Sequence, residues 1–278
     1  MINLKNSVIL HFHIYKNAGS TIDWILEKNL GKKFKRIDFP NKPEGRLPFS
    51  MILNYLRKNP TIQAISSHHL QFPVFEDNYF QFLPIIFIRH PIDRAFSMYS
   101  FKKYSEDGKD MDMIMAKTSS LKEYIQWNLS IKTQRPMKNW QVLFLSDKTS
   151  RSISKNDDFD IAKKRMIQCT CLGVVDRIEE SLVVAEENLY PYFENIDLSY
   201  VKQNVSKGRK KTLQERLMDE ETLIGSDLAN TLYVENRLDM ALYLEANKEL
   251  NRRIMQIKNF QQKLEDFKIR CKKLSNSV

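Results

Sequence analysis

Short apolar runs, each followed by a helical pattern, alternate along the first two thirds of the chain. Residues 8–14, 83–88 and 170–175 are rich in branched apolar side chains and too short for a buried helix, so they predict buried strands. Residues 63–67 predict a further short strand, and residues 140–145 fit a strand or a helix. Strands that alternate with helices are typical of a three-layer α/β sandwich around a mainly parallel sheet. We expect the ligand site of such a domain beyond the carboxyl ends of its strands.

The composition limits the class of protein. The chain has 278 residues, of which 42% are hydrophobic and 28% charged, as in a globular protein with a substantial core. Its formal net charge of +10 favours anionic partners such as nucleotides, acidic glycans or a membrane surface. No run approaches the roughly 18 apolar residues of a spanning helix, and the first residues do not resemble a secretory signal. Three cysteines cannot form a disulfide framework, which favours a reducing compartment. From these features together we expect a soluble, cytoplasmic protein.

The turn after the first predicted strand carries the residue types of an anion site. It comprises Lys16, Asn17, Ala18, Gly19, Ser20 and Thr21. A small-residue turn between a strand and a helix directs backbone N–H groups toward an anion, and the lysine at its start can reach over that anion. The order differs from Walker A, in which the lysine follows the last glycine, so a P-loop kinase or nucleotidase is disfavoured. The simpler alternative is an ordinary polar loop.

A second polar motif follows the predicted strand at residues 83–88. Arg89 comes directly after this strand, and Ser97 lies two turns into the next predicted helix. A guanidinium group binds phosphate through two parallel hydrogen bonds, and a hydroxyl group supplies a further donor. The structural alternative is that Arg89 pairs with an acid of the helix, such as Asp93, while Arg94 is expected at the surface. Both motifs follow strands, so they are expected to converge on one rim of the domain.

Taken together, these motifs resemble those of the sulfotransferases that use 3′-phosphoadenosine 5′-phosphosulfate (PAPS), specifically the carbohydrate branch with the heparan and chondroitin sulfotransferases. Residues 13–21 match the pattern H-I-P-K-x-[AG]-G-[ST]-[ST], with Tyr15 in place of the usual proline. Residues 89–97 match R-[DH]-P-x-x-R-x-x-S. The resemblance covers about residues 8–245 and implies a P-loop-like sulfotransferase fold. Weaker similarities lie at residues 173–182, 204–209 and 238–243.

The resemblance implies PAPS as the sulfuryl donor, 3′-phosphoadenosine 5′-phosphate (PAP) as the product, and no metal. It assigns the 5′-phosphosulfate to the turn that begins at Lys16, and the 3′-phosphate to Arg89 and Ser97. Lys16 would stabilise the oxygen that departs from sulfur. The implied acceptor is a hydroxyl group or an amine, most naturally of a saccharide or glycan. A basic loop would help to close over the nucleotide, and it comprises Ser206, Lys207, Gly208 and Arg209.

Transfer to a hydroxyl group needs a base within hydrogen-bond reach of the proton. Members of the family use a glutamate or a histidine, and His68 and His69 end the second predicted strand, where a histidine-using member keeps its base. Neighbouring residues of a strand point to opposite faces, so one of the two is expected in the cleft, with a slight preference for His68. Glu27, Glu44 and Glu76 are the alternatives.

The last third of the chain predicts helices. Beyond residue 245 apolar residues recur every three or four positions, which predicts one long, basic, amphipathic helix. We divide the chain into a catalytic domain, residues 1–245, and this helix, residues 246–278. The apolar stripe favours packing on the core or pairing in a homodimer, with a membrane-surface helix as a further alternative. The competing function is a non-catalytic protein that binds an anionic polymer or membrane, and no aromatic–basic pattern points to nucleic acid.

Overall fold

The computed structural model describes residues 5–38, 47–106, 110–131, 137–147, 156–201 and 212–276. The strands are β1 (Asn6–Phe12), β2 (Phe34–Arg36), β3 (Ala64–Ser67), β4 (Phe80–Ile88) and β5 (Cys171–Val174). The helices are α1 (Gly19–Leu30), α2 (Phe49–Lys58), α3 (Pro91–Tyr104), α4 (Met111–Thr118), α5 (Leu121–Ser130), α6 (Trp140–Ser146), α7 (Asn156–Gln168), α8 (Ile178–Leu189), α9 (Leu213–Ile224), α10 (Ser226–Glu235), α11 (Arg237–Ile254) and α12 (Phe260–Asn276).

The described strands form one parallel sheet in the order β2-β3-β1-β4-β5. The central strand β1 pairs with β4 along its whole length, from Asn6 opposite Phe80 to Phe12 opposite Ile86. On its other side β1 pairs with β3, where Phe12 lies opposite Ser67. Because the strands run in the same direction, the segments that follow them meet at one edge of the sheet. The predicted α/β class with a mainly parallel sheet is therefore confirmed.

The sheet is buried on both faces, as is usual for parallel strands. Val8 and Leu10 of β1 are fully buried on one face, where the core includes residues of α2, α6, α7 and α11. Ile9 points to the other face and packs with residues of α1, α8 and α12. A further apolar cluster joins α3, α4, α5, α9 and α10 beside the sheet. Two layers of helices thus enclose the sheet, which is the three-layer sandwich that the sequence predicts.

The carboxyl-terminal part of the chain differs from the single helix that the sequence predicts. It forms α11 and α12, and these are separated by a break at which Asn259 has a φ of 54°. Residue 245, our expected domain boundary, lies inside α11. Leu264 and Phe267 of α12 are buried in the core of the same chain, so this part of the stripe packs within the chain. None of the described helices is both long and apolar enough to cross a membrane.

Candidate functional site

Two residues of the turn between β1 and α1 have positive φ angles. Lys16 and Ala18 both adopt the left-handed conformation, with φ values of 67° and 62°. The Asn17 side chain donates from Nδ2 to the carbonyl oxygen of Phe87 and to Oε1 of Gln141, each at 2.7 Å. Asn17 is a predicted cofactor-binding residue, but its side chain is buried and its amide nitrogen fixes the turn to β4 and α6.

Helix α1 begins at Gly19, directly after this turn. The first N–H groups of a helix have no partner inside the helix, so those of Gly19 and Ser20 are directed toward the turn. The imidazole of His13 covers Gly19 so closely that an added Cβ atom would lie 1.8 Å from Nε2 of that ring. A glycine is therefore required at this position by the approach of the ring. Thr21 is buried in the first turn of α1, whereas Ser20 is exposed.

Arg89 connects the turn to α3. Its guanidinium group donates from Nε to Oδ2 of Asp93 and from Nη1 to the carbonyl oxygen of Lys16, each at 2.8 Å. The pairing with Asp93, which the sequence left as the structural alternative, is thus present and uses only part of the guanidinium group. Nη2 of Arg89 is buried and has no hydrogen-bond partner among the described residues. A buried donor of this kind beside a turn rich in N–H groups fits an oxygen atom of a phosphate group.

Asp93 is shared by two arginines. Arg216 of α9 donates from Nε to Oδ1 of Asp93 at 2.8 Å and from Nη2 to Oδ2 at 3.3 Å. The side chains of Arg89, Asp93 and Arg216 are 5%, 2% and 11% exposed, and together they carry a net charge of +1. This charge favours an anion beside them. Arg216 lies 123 residues beyond Asp93 and belongs to no motif, so the sequence did not indicate it.

One face of α3 connects the arginine to the lysine. Asp93, Ser97 and Phe101 are spaced four residues apart, so they follow one another along this face. Asp93 contacts Arg89 at one end, and at the other the ring centroid of Phe101 lies 4.2 Å from Nζ of Lys16. Ser97 is partly exposed between these contacts. The structure therefore brings Lys16, Arg89 and Ser97 to one surface.

A buried polar layer that the sequence did not indicate lies behind this surface. Oε1 of Gln141 accepts from the Asn17 side chain at 2.7 Å and from the backbone N–H of Arg89 at 2.9 Å. Nε2 of Gln141 donates to the carbonyl oxygen of Arg89 at 2.9 Å and to Oδ2 of Asp239 at 3.3 Å. Arg94, which we expected at the surface, is fully buried in α3, and burial lowers its pKa to about 10. Its charge is retained because Asp239 favours the protonated form.

His68 and His69 follow β3 at the same edge of the sheet. The ring of His68 stacks on that of His13 with 3.9 Å between centroids, and His13 in turn covers Gly19. His68 therefore stands beside the turn that begins at Lys16. Its side chain is 37% exposed, whereas that of His69 is 10% exposed. Burial lowers the pKa of His13 to about 4, so His13 is neutral at physiological pH.

The other candidates from the sequence lie elsewhere. Glu27 is exposed near the end of α1. Glu76 lines a cavity of about 570 Å³ that adjoins the beginning of β4, at the opposite edge of the sheet from His68. The remaining candidates fall outside the described residues, and they are Glu44, Ser206, Lys207, Gly208 and Arg209.

His11, His13 and Asp23 are the described residues in which three ligand-type atoms of His, Cys, Asp or Glu lie within 4.8 Å of one another. Nδ1 of His11 lies 2.9 Å from Oδ1 of Asp23 and 2.9 Å from Oγ of Ser66. Nδ1 of His13 and Nε of Arg36 lie 3.4 Å and 2.9 Å from Oδ2 of Asp23. Burial alone would raise the pKa of Asp23, but hydrogen bonds from the two histidines hold it far below its usual value. Polar atoms of these three residues are engaged in hydrogen bonds and ion pairs around the Asp23 carboxylate, so we do not assign a metal to them.

Comparison with known proteins identifies the chain. The sequence model of the sulfotransferase family matches residues 1–244. The chain belongs to the sulfotransferase family. A protein of Archaeoglobus fulgidus that is itself uncharacterized is 31% identical over 246 residues, which cover 86% of this chain and 96% of the relative. Membership confirms the resemblance at the level of a sulfotransferase enzyme, and it supports sulfuryl transfer as the class of reaction.

Proposed function

We propose that this sulfotransferase transfers a sulfuryl group from PAPS to a hydroxyl group or an amine of a saccharide acceptor, with His68 as the base. The observation that carries the proposal is the convergence of three groups on the turn before α1. These groups are Lys16, the buried guanidinium of Arg89 with its unpartnered Nη2, and the imidazole of His68. A cation, an anion-directed donor and a base on one surface are what transfer from an anionic donor requires.

The donor is held by the groups that fit phosphate. Arg89 Nη2 and the hydroxyl group of Ser97 bind the 3′-phosphate, and the N–H groups at the start of α1 bind the 5′-phosphosulfate. The net charge of +1 on Arg89, Asp93 and Arg216 supports an anion at this position. In this proposal the basic segment at residues 206–209, which lies outside the described residues, also contacts the nucleotide.

The chemistry is a direct displacement at sulfur. The acceptor oxygen forms a bond to sulfur while the bond from sulfur to the bridging oxygen of the donor breaks. The electron pair of the broken bond goes to that oxygen, which leaves as part of the 5′-phosphate of PAP. The ammonium group of Lys16 stabilises the negative charge that develops there, and Nε2 of His68 takes the proton of the acceptor hydroxyl group.

The saccharide acceptor rests on the resemblance of residues 13–21 and 89–97 to the carbohydrate branch of the family. Two features support it. The net charge of +10 favours acidic glycans, and the half-exposed ring of Phe101 beside Lys16 offers an apolar face next to the transfer site.

Calorimetric titration with PAP tests the donor site. We expect saturable binding by the wild type, binding weakened at least about 100-fold in Arg89→Ala and a smaller loss in Ser97→Ala, since charged hydrogen bonds contribute more than neutral ones. Arg57→Ala is the matched control, because Arg57 pairs with Asp77 near the opposite edge of the sheet. Circular dichroism confirms that each variant is folded. If Arg89→Ala does not fold, Ser97→Ala still tests the site. Absence of binding by the folded wild type would refute the proposal.

Transfer of labelled sulfate from PAPS to a panel of desulfated glycans and simple saccharides tests the reaction. We expect label on at least one saccharide, and loss of transfer in Lys16→Ala and in His68→Ala with PAP affinity in His68→Ala unchanged. A wild type that binds the whole panel equally well with and without PAPS, in a strongly salt-dependent manner and without transfer, would instead be a polyanion-binding protein.

A further inference from the structure

Four of the five histidines of the chain lie together at the carboxyl edge of the sheet. Two carboxylates contact these rings. Asp23 contacts His11 and His13, and Asp38, which follows β2, contacts His68 and His69. The four rings are those of His11, His13, His68 and His69.

Asp38 contacts several polar groups at the end of β3. Its Oδ1 accepts from the backbone N–H of His68 at 2.8 Å and from Oγ of Ser67 at 3.0 Å. Its Oδ2 lies 3.1 Å from Nδ1 of His68, and its Oδ1 lies 3.3 Å from Nδ1 of His69. The backbone contact and the ring contact reach the same histidine from two directions, so they define the position of its ring relative to the strand.

The charge of Asp38 decides which nitrogen of His68 carries the proton. Partial burial would raise the pKa of Asp38, but hydrogen bonds from His68 and Ser67 hold it well below its usual value, so the carboxylate is ionised at neutral pH. An ionised carboxylate only accepts hydrogen bonds. Nδ1 of His68 must therefore be the protonated nitrogen, and Nε2 is left with its lone pair.

The face of the ring is fixed independently. His13 stacks against His68 with 27° between the ring planes, and Asp23 and Gly19 hold His13 in place. His13 is neutral, so it adds no repulsion when His68 takes up a proton. The in-plane contact from Asp38 and the stacked ring of His13 together leave His68 one orientation.

We propose that Asp38 is a positioning residue, which holds His68 in the Nδ1–H tautomer so that Nε2 faces the acceptor as a proton acceptor. The inference rests on the proposed function of His68 and extends it to a residue outside the motifs of the sequence. A nucleophile or its base commonly needs a third group that orients it, and Asp38 has the geometry of that group.

Nitrogen-15 NMR of the histidine rings tests this without an acceptor, because the two tautomers give different ring-nitrogen shifts. At pH 7.5 we expect His68 of the wild type in the Nδ1–H form. In Asp38→Asn the amide N–H can donate to Nδ1, so we expect the Nε2–H form to become the major one. Ser67→Ala is the matched control, since it removes another contact of Asp38 and leaves the ring contact intact. A wild type in the Nε2–H form, or an equal shift in both variants, overturns the proposal.

Kinetics provide a second measurement on the same variants. With an acceptor from the saccharide panel, we expect kcat to fall at least about 100-fold in Asp38→Asn with little change in KM and no change in the affinity for PAP. A kcat within about twofold of the wild type overturns the proposal. Failure of the wild type to bind PAP would instead refute the proposed function, and the NMR result would still decide the role of Asp38.

Discussion

Gly19→Ala is the substitution for which the structure gives the clearest expectation. In a helix, exchange of glycine for alanine stabilises by up to about 1 kcal/mol, because the backbone of alanine has less freedom to lose. Here the new Cβ atom would lie 1.8 Å from Nε2 and 2.0 Å from Cδ2 of His13. No pair of unbonded atoms tolerates such a distance, so either the ring or the first turn of α1 must move.

The ring of His13 has little room to move. It contacts Asp23 at 3.4 Å and lies between the rings of His11 and His68, at centroid distances of 5.2 Å and 3.9 Å. Forcing an extra carbon atom into such a site costs about 1–3 kcal/mol. After subtraction of the gain in helix propensity of about 0.5–1 kcal/mol, we expect Gly19→Ala to lower the free energy of unfolding by about 0–2.5 kcal/mol, with a midpoint of about 1 kcal/mol.

Urea unfolding of a double-mutant cycle measures the cause directly. In a His13→Ala background the clash is absent, so Gly19→Ala should raise the free energy of unfolding by about 0.5–1 kcal/mol, as in an ordinary helix. The coupling energy between the two positions should therefore be about 2 kcal/mol. If Gly19→Ala is equally destabilising in both backgrounds, the ring of His13 is not what requires a glycine at this position.

Three further predictions concern the stability of the fold. Asn17→Ala removes two buried hydrogen bonds and should lower the free energy of unfolding in urea by about 1–3 kcal/mol, whereas an unchanged value would show that the turn is not held by this amide. Burial lowers the pKa of His90 to about 4, so the unfolded state binds a proton at a higher pH than the folded state, and the free energy of unfolding should fall as the pH drops from 6.5 to 4. His90→Gln should flatten this pH dependence of unfolding. An unaltered slope would contradict the assignment of the effect to His90. Phe267→Ala in α12 should cost about 3–5 kcal/mol and leave the hydrodynamic size unchanged, while a change in oligomeric state on light scattering would contradict the intrachain packing of this helix.

The strands of the sheet that consist of continuous apolar residues could be predicted from the sequence. The expected segments at residues 83–88 and 170–175 overlap β4 and β5 closely, because strands buried on both faces contain few polar residues. The edge strand β2 was missed, since it has three residues and two of them, Lys35 and Arg36, are exposed. Such a strand is defined by its pairing with β3 and leaves no pattern of its own.

The break between α11 and α12 shows a different limit of periodicity. Ile254, Ile257 and Phe260 continue the spacing of three to four residues through the break, because all three pack against the same apolar cluster. A pattern of buried positions therefore cannot distinguish a continuous helix from two helices on one core. The signal that could have been used is Asn259, because asparagine tolerates the left-handed conformation better than most residues.

The candidate site was predictable in so far as topology determines it. Lys16 and Arg89 follow neighbouring parallel strands, so their proximity follows from the fold. Arg216, Gln141 and Asp38 come from segments without a recognisable motif, and their contacts depend on how helices and loops pack over the sheet. Such contacts are tertiary, and one sequence carries no periodic trace of them.

Gln141 gives the site a modular character. One amide group holds the Asn17 side chain on one side and both backbone groups of Arg89 on the other, so it fixes the two halves of the proposed donor site relative to each other. His68, His69 and Asp38 are anchored through β2 and β3, and they contact the turn through the stacked rings of His68 and His13. Under the proposed function, substitution of Asp38 should therefore slow transfer while the affinity for PAP stays unchanged. Directed evolution of the acceptor side should therefore keep both Gln141 and Asp38 unchanged.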